Sequence, residues 1–217
     1  MVLTICLFGV VYASFTTLQQ VDLKKIIAYS SVGHMGIVTI GIFALNLPGL
    51  LGSILLMLSH GIVSGGLFFL VGLLYERHHT RVVTYYSGLL HTMPLFSVFF
   101  ILFILGNIGL PGTSSFVGEF LILAGAFQTN TTVCVLSATG MILGGGYSLW
   151  LFNRVAFGNI KVQYMGAFSD VDKREFATLL PLIILTLVMG IYPEIFLDPM
   201  HLSCSNLLAQ LDVANSY

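Results

Sequence analysis

The chain has 217 residues, of which 57% are apolar and only 8% are charged. A typical soluble domain carries roughly 25% charged residues, so this chain has too little polar surface to coat a water-soluble particle of its size. Its formal net charge of -1 also argues against nucleic-acid binding, which requires a concentrated basic surface. The composition therefore predicts a membrane protein.

Three cysteines, Cys6, Cys134 and Cys204, are spread along the chain and form no Cys-x-x-Cys pair. Their number and spacing match neither a disulfide framework nor a zinc or iron–sulfur site, so we expect no metal and no redox cofactor in this chain. The apolar N-terminus lacks a basic segment. It is therefore predicted to be a first membrane span rather than a cleaved signal.

Six apolar segments are long enough to be membrane spans, because a bilayer core of about 30 Å needs about 20 helical residues. Short polar or helix-breaking segments separate them and leave no room for a soluble domain. The predicted fold is an all-α polytopic membrane protein with one transmembrane domain over residues 1–217. The predicted spans are 2–16, 25–45, 49–75, 94–128, 131–153 and 177–197.

The fourth segment, 94–128, is long enough for one inclined span or for two short ones. The basic residues decide between these readings, because basic residues prefer the non-translocated side of a membrane. One crossing places all eight on one side and both termini on the other, whereas two crossings would separate the last four from the rest. We therefore predict a single crossing. The eight are Lys24, Lys25, Arg77, Arg81, Arg154, Lys161, Lys173 and Arg174.

This fourth span is expected to be discontinuous around Gly106 to Ser115, where the sequence reads GNIGLPGTSS. Pro111 removes a backbone donor, and Gly109 and Gly112 lower the helix propensity, so the helix should open there into two halves. Unpaired backbone groups at membrane depth need protein or a hydrated cavity to satisfy them. A proline kink with local repair is the alternative.

Three titratable residues, Glu119, His60 and His34, are predicted to lie near the membrane midplane, since each is roughly 13 to 16 Å of helix from one end of its segment. Intramembrane ionisable groups are costly and usually mark ion or proton routes. Because an imidazole exchanges protons near neutral pH, we favour a proton relay. Each histidine also fits a hydrogen-bonded interhelical contact, and Glu119 fits a neutral acid bonded to a carbonyl.

Small polar side chains accompany the break and the titratable groups. Thr113, Ser114 and Ser115 are placed to cap the second half of the broken helix. Several serines share a helix face with a titratable group and could line a chain of waters, although small residues also simply allow close packing. They are Ser30, Ser31, Ser53, Ser64 and Ser115.

Two charged clusters stand at predicted membrane edges. Lys24 and Lys25 are interpreted as edge anchors, with proton uptake at a channel mouth as the alternative. The cluster from Glu76 to His79 has the same two readings. The adjacent His78 and His79 would point about 100° apart on a helix, so they do not predict a metal site.

Four sequence segments resemble the antiporter-like membrane subunits of respiratory complex I, NADH-ubiquinone oxidoreductase. The resemblance covers essentially the whole chain and is strongest to the C-terminal half of the chain 4 members of plant and algal mitochondria. The segments, in chain order, are DLKKIIAYSSVGHMG, ILLMLSHGIVSGGLFFLVGLLYER, LPGTSSFVGEFLIL and GIYPEIFLDPM.

The resemblance implies a role for each site residue. The six spans correspond to the last six of a fourteen-helix subunit, so residues 1–217 form the second half of an antiporter-like domain with its C-terminal helix. Glu119 matches the essential carboxylate of the discontinuous span. His60 and His34 match the histidines of the central hydrated axis.

The resemblance also implies a function and a location. The chain would be a proton-translocating, non-redox fragment of NADH:ubiquinone reductase in the mitochondrial inner membrane, driven by quinone reduction elsewhere in the complex. The basic loops would face the matrix and both termini the intermembrane space. FMN, iron–sulfur clusters and ubiquinone would belong to partner subunits.

Family members are considerably longer, so the expected partners include a separate chain with the N-terminal half, besides other membrane-arm subunits and lipids; a truncated sequence is the alternative. Two other functions stay open. One is a subunit of a cation/proton antiporter or membrane-bound hydrogenase built from the same repeat. The other is a membrane-arm scaffold that does not pump.

Overall fold

The computed structural model describes residues 1–160 and 169–215, and its regular elements there are helices, apart from one isolated bridge between Asp22 and Val82. The predicted all-α class is therefore confirmed for the described residues. A single 3-10 turn, Val83–Tyr85, lies between α3 and α4 in the numbering that follows. The helices are α1 Val2–Leu18, α2 Leu23–Phe43, α3 Leu47–His78, α4 Leu89–Thr92, α5 Pro94–Ile108, α6 Ser114–Thr129, α7 Thr131–Ala156, α8 Lys173–Ile191 and α9 Glu194–Asn215.

Four of these helices, α2, α3, α7 and α8, are long and apolar enough to cross a membrane, and α1 and α5 are apolar but shorter. The predicted boundaries of the first three segments and the fifth agree with the helices to within a few residues. The predicted end of the last span at residue 197 is wrong. α8 ends before Tyr192, which precedes Pro193, and a proline disfavours helical backbone in the residue before it.

Helix α9 begins directly after this proline and was not predicted from the apolar pattern. It contains an internal proline, Pro199, and the acidic residues Glu194 and Asp198, which are exposed. It packs against α3. The segment after residue 192 is therefore a separate helix, and not the continuation of α8.

The segment 94–128 contains two helices separated by residues 109–113. Gly109 ends α5 with φ +76°, and Gly112 has φ +96°. Both values lie in the left-handed region, which glycine adopts without the cost that other residues incur. The glycines and Pro111 thus lie in the segment that separates α5 from α6.

The capping predicted for Thr113, Ser114 and Ser115 is wrong. Thr113 is the N-cap residue of α6, but its hydroxyl donates to the Leu110 carbonyl at 2.7 Å and makes no cap bond. Ser114 and Ser115 instead lie 2.7 and 2.9 Å from the Ser59 hydroxyl of α3, and all three serines are buried. Because α3 lies so close to the start of α6, Ser114 and Ser115 bond to Ser59 on α3 and do not cap the backbone of α6.

Helices α3 and α6 approach closely through glycines. A Cβ added to Gly52 would lie 2.8 Å from the Gly118 carbonyl oxygen, and one added to Gly118 would meet the α3 backbone at 3.0 Å. Further along, the Asn46 amide donates to the Gly125 carbonyl at 2.7 Å and its oxygen accepts from Gly49 N at 3.0 Å. Residues without a side chain permit this contact, as in other membrane helix pairs.

One end of the bundle is joined by polar contacts around Asp170. The Asp170 carboxylate accepts hydrogen bonds from Leu95 N at 3.0 Å and Phe96 N at 3.1 Å, which satisfies free donors at the start of α5. Arg77 at the end of α3 binds the Asp170 carbonyl at 3.0 Å and the Glu175 carboxylate at 2.6 Å. The end of α3 is thus linked to the starts of α5 and α8.

The start of α2 and the end of α7 lie at this same end. Leu23 N donates to the Arg81 carbonyl at 2.9 Å, and Gly88 N donates to the Phe157 carbonyl at 3.1 Å. Every described basic residue belongs to one of these helix ends or to the segments that join them, while Lys161 lies outside the described residues. We call this the basic end of the bundle. The residues concerned are Lys24, Lys25, Arg77, Arg81, Arg154, Lys173 and Arg174.

We expect Gly52→Ala to lower the free energy of unfolding by about 1–3 kcal/mol, because its methyl group would force α3 and α6 apart. The matched control is Gly61→Ala on the same helix, where no described atom outside the local helix lies within 4 Å of an added Cβ. That change should be neutral or stabilise by up to about 1 kcal/mol through helix propensity. Thermal unfolding in detergent measures both, and equal effects would contradict the glycine contact.

Candidate functional site

Three helices bring Glu119, His34 and His60 together inside the bundle. His34 Nδ1 on α2 lies 3.3 Å from Glu119 Oε1 on α6, and the ring centres of His34 and His60 on α3 are 5.2 Å apart. Their exposed fractions are 1% for Glu119, 8% for His34 and 9% for His60. The three residues that were assigned to one depth are therefore neighbours.

The pair of His34 and Glu119 is near enough for an ion pair but is not aligned as a hydrogen bond. Within the described part of the chain, neither nitrogen of His34 and neither oxygen of Glu119 makes a hydrogen bond. The alternative prediction was a neutral Glu119 that donates a hydrogen bond to a backbone carbonyl. Among the described residues, Glu119 makes no such hydrogen bond. Buried polar groups are normally bonded, so these four atoms retain the capacity to exchange a proton or bind water.

Gly109 of the helix break packs directly against the carboxylate. A Cβ at Gly109 would lie 2.5 Å from Glu119 Oε2, which is closer than atoms can approach. The missing side chain makes room for the carboxylate, and the left-handed backbone directs the chain away from α6. Glu119 and the break at residues 109–113 are therefore in direct contact, through Gly109.

The buried hydroxyl cluster of Ser59, Ser114 and Ser115 adjoins this group of titratable residues. Ser59 precedes His60 on α3, and Ser115 lies one turn before Glu119 on α6. Each hydroxyl both donates and accepts, so the cluster can reorient without losing its bonds. It connects the neighbourhood of His60 to the start of α6.

The other serines of the predicted water-lining faces are mostly bonded to their own helices. Ser30 and Ser31 donate to the Ile27 carbonyl at 2.8 and 3.1 Å, and Ser53 donates to the Gly49 carbonyl. Ser53 lies in the glycine contact rather than beside a cavity. Of these serines, Ser30 lines a small cavity, together with Asn107, Tyr147 and Ser148.

Lys24 and Lys25 are not part of the site. Both are exposed at the start of α2, ten or nine residues before His34, which is about 15 Å of helix. Pro111 is exposed at the tip of the break, so its contribution is to backbone geometry. Residues 1–160 and 169–215 contain no group of three or more side chains that could hold a metal ion.

Asn107 and Tyr147 belong to the site but were not singled out from the sequence. Both line a small cavity beside Glu119 and His34, with a volume of about 10 Å³. That is near the lower limit for one water molecule. The signal for Asn107 is a lone amide at the end of an apolar run, two residues before the break; Tyr147 carries no such signal.

Comparisons with known proteins agree with the resemblance described above. Residues 1–144 match the family NADH:quinone oxidoreductase/Mrp antiporter, transmembrane. The chain is 60% identical over 205 residues to NADH-ubiquinone oxidoreductase chain 4 of Marchantia polymorpha, covering 94% of this chain. It covers only 41% of that relative, so it spans less than half the length of the curated protein it matches. The predicted similarity to chain 4 of plants and algae is confirmed.

Solved structures give the same fold. A chain of respiratory complex I from Thermus thermophilus with bound NADH is 30% identical, with a TM-score of 0.86 over 95% of this chain and 44% of that chain. A chain of the Mrp complex from Dietzia sp. has a TM-score of 0.87 at 18% identity, over 95% of this chain and 47% of that chain. At this identity the second match shows the fold alone.

We expect Gly109→Ala to destabilise the protein more than Gly112→Ala. Both changes place a side chain at positive φ, which costs about 1–2 kcal/mol. The Gly109 methyl group would also displace the Glu119 carboxylate, whereas no described atom outside the local backbone lies within 4 Å of a Cβ at Gly112. Thermal unfolding of the two variants measures the difference, and equal losses would show that the break does not depend on this contact.

Proposed function

Because the chain belongs to the NADH:quinone oxidoreductase/Mrp antiporter transmembrane family, we propose that it is a proton-translocating part of the membrane arm of NADH:ubiquinone oxidoreductase. The observation that carries the proposal is the contact of Glu119 with His34, with His60 adjacent, at a buried site beside an interrupted helix. The chain itself performs no redox chemistry. Quinone reduction in other subunits supplies the free energy.

Each titratable residue has a distinct role in this proposal. Glu119 is the terminal carrier, and His34 and His60 relay protons to it. His34 Nδ1 lies 3.3 Å from Glu119 Oε1, so a small movement of either side chain would let a proton pass between them. When the proton passes from His34 to Glu119, both groups become neutral; Glu119 then releases that proton, and His34 takes the next one from His60.

We further propose that α5 and α6 form one interrupted crossing. α5 begins at the basic end, where Asp170 holds its first amides, and α6 ends beside Asn46 at the start of α3, which is the opposite end. Six spans result: α1, α2, α3, the α5 and α6 pair, α7 and α8. The single domain over residues 1–217 is then the second half of the longer family subunit.

The proposed location is the mitochondrial inner membrane, as in the chain 4 proteins of plant and algal mitochondria. The basic end faces the matrix, since basic residues prefer the non-translocated side, and both termini face the intermembrane space. Partners are the other membrane-arm subunits, membrane lipids and the chain or chain portion that corresponds to the N-terminal part of the relatives. FMN, iron–sulfur clusters and ubiquinone bind to partner subunits.

A cation/proton antiporter subunit is the second candidate function. The observation in its favour is the family match over residues 1–144, because that family includes Mrp antiporters as well as NADH:quinone oxidoreductases. The same pair of Glu119 and His34 would serve it. Sodium-dependent proton movement without NADH oxidation would favour this function over the first.

We expect Glu119→Gln to leave assembly of the complex intact and to lower the number of protons pumped per electron pair. The amide is similar in shape but cannot carry a proton between states. Proteoliposomes containing the assembled complex allow NADH oxidation and proton uptake to be measured together. The matched control is Glu194→Gln at the exposed start of α9, which should pump as wild type. Unchanged pumping in a normally assembled Glu119→Gln complex would contradict the proposed role.

A further inference from the structure

A groove on the outside of the bundle, between the start of α2 and the last turns of α3, contains none of the relay residues. Its volume of about 560 Å³ is within the range of ligand sites in proteins. We propose that it binds one anionic phospholipid, whose phosphate lies between Lys24 and Arg81. The inference goes beyond the proposed function, since it requires only that the basic end of the bundle lies at one edge of the membrane. The described residues that line the groove are Lys24, Phe68, Val71, Gly72, Tyr75 and Arg81.

The two cations of the groove have no described counter-charge. Among residues 1–160 and 169–215, neither Lys24 nor Arg81 forms an ion pair. Asp22 is close to Lys24 in sequence, but its carboxylate accepts a hydrogen bond from Lys24 N at 2.9 Å and caps α2. Two positive charges that line one groove repel each other, and an anion between them replaces this repulsion with attraction.

The backbone holds the two cations at one place. Leu23 N donates to the Arg81 carbonyl at 2.9 Å, and the isolated bridge joins the start of α2 to the segment after α3 at the same point. The Arg81 guanidinium carbon lies 4.7 Å from the centre of the Tyr75 ring, which restrains the side chain as well. Because the fold already orders these groups, less conformational freedom is lost when an anion binds.

The part of the groove away from the cations is apolar. Phe68 lies seven residues before Tyr75 on α3, about 10 Å farther from the basic end. Between them Gly72 is exposed, and no described atom outside the local helix lies within 4 Å of an added Cβ. The missing side chain leaves room for the first part of an acyl chain. A phosphate at the edge and a hydrocarbon chain further in are the two parts of a phospholipid, whereas free phosphate would leave the apolar part empty.

A second groove shares Phe68 and Gly72 but has the opposite charge. It lies between α3 and the start of α8 and has a volume of about 630 Å³. Three of its lining residues are carboxylates and only one is a cation. Carboxylates repel a phosphate, so an anionic lipid is directed to the groove that contains Lys24 and Arg81. The charged residues of the second groove are Glu76, Asp172, Glu175 and Arg174.

The position of the first groove favours a lipid over a protein segment as its occupant. Lys24, Tyr75 and Arg81 lie at the basic end, and lysine, arginine and tyrosine are typical of the membrane–water interface on the non-translocated side. Basic pockets between membrane helices on that side bind anionic headgroups. The surrounding bilayer supplies a phosphate at the correct depth, whereas a protein segment would have to bring an acidic side chain there.

The test uses the assembled complex in phosphatidylcholine nanodiscs that contain a trace of phosphatidylglycerol with a photoactivatable group near the start of one acyl chain. After illumination, mass spectrometry measures the label on the α3 peptide that contains Phe68 and Gly72. The same measurement with photoactivatable phosphatidylcholine gives the labelling by a lipid without net charge. We expect several-fold more label from phosphatidylglycerol. This comparison needs no variant, so it does not depend on the folding of a changed protein.

Lys24→Gln and Arg81→Gln each remove one charge of the groove. We expect either change to lower labelling by phosphatidylglycerol about fivefold, which is the effect of one basic residue near an anionic headgroup. The double variant should fall to the level of phosphatidylcholine. The matched controls are Lys25→Gln, an exposed neighbour that does not line the groove, and Arg174→Gln in the second groove. Both controls should be labelled as wild type.

Equal labelling by the two lipids would overturn the inference, and so would full labelling by phosphatidylglycerol in the double variant. An equal loss in Lys25→Gln would assign the effect to the general positive charge of this membrane edge and would also overturn it. Absence of label from both lipids would show that another part of the complex covers the groove, with the same consequence. None of these outcomes bears on Glu119, so the proposed function stands or fails separately.

Discussion

The burial of the Glu119 carboxylate is the constraint on which the rest of the structure depends. A carboxylate that is 1% exposed has lost nearly all contact with solvent, and an isolated charge there would cost several kcal/mol. His34 Nδ1 is the nearest described titratable atom, at 3.3 Å, and Gly109 lacks the side chain that would otherwise occupy the space of the carboxylate. The close glycine contact of α3 with α6, through Gly118 beside Glu119, brings His60 within reach of the same point.

The result is a buried group of titratable side chains that lie close together. Because solvent is largely excluded there, any charge on Glu119 would act on its neighbours more strongly than it would in solution. The serine hydroxyls at the start of α6 and the amide of Asn107 surround this centre with groups that can turn without breaking the fold. A relay needs both properties: strong coupling at the centre and mobile dipoles around it.

Most long helices, and the separation of α5 from α6 near Gly109, could be predicted from the sequence because both follow from position along a helix axis. Apolar length indicates a helix long enough to span, and the combination of Gly109, Pro111 and Gly112 favours an interruption. A fixed rise per residue gives the distance of His34, His60 and Glu119 from the ends of their segments. The direction of a side chain around the axis is not encoded in this way. The helices are apolar on nearly every face, so nothing in the pattern indicates that Asn107 and Tyr147 meet, or that Ser114 turns to Ser59 instead of capping α6. The end of α8 was misplaced because, apart from Glu194, the residues around Pro193 are apolar.

The two ends of α5 are held by different kinds of contact. At the basic end, Asp170 accepts hydrogen bonds from the first amides of α5, and Arg77 links Asp170 to α3 and α8. The break at 109–113 instead packs closely against the backbone of α8 at Gly190, where an added methyl group would collide with Gly112. Helix α8 therefore constrains the break from outside the segment that carries Glu119, and any side chain at Gly190 would have to displace it.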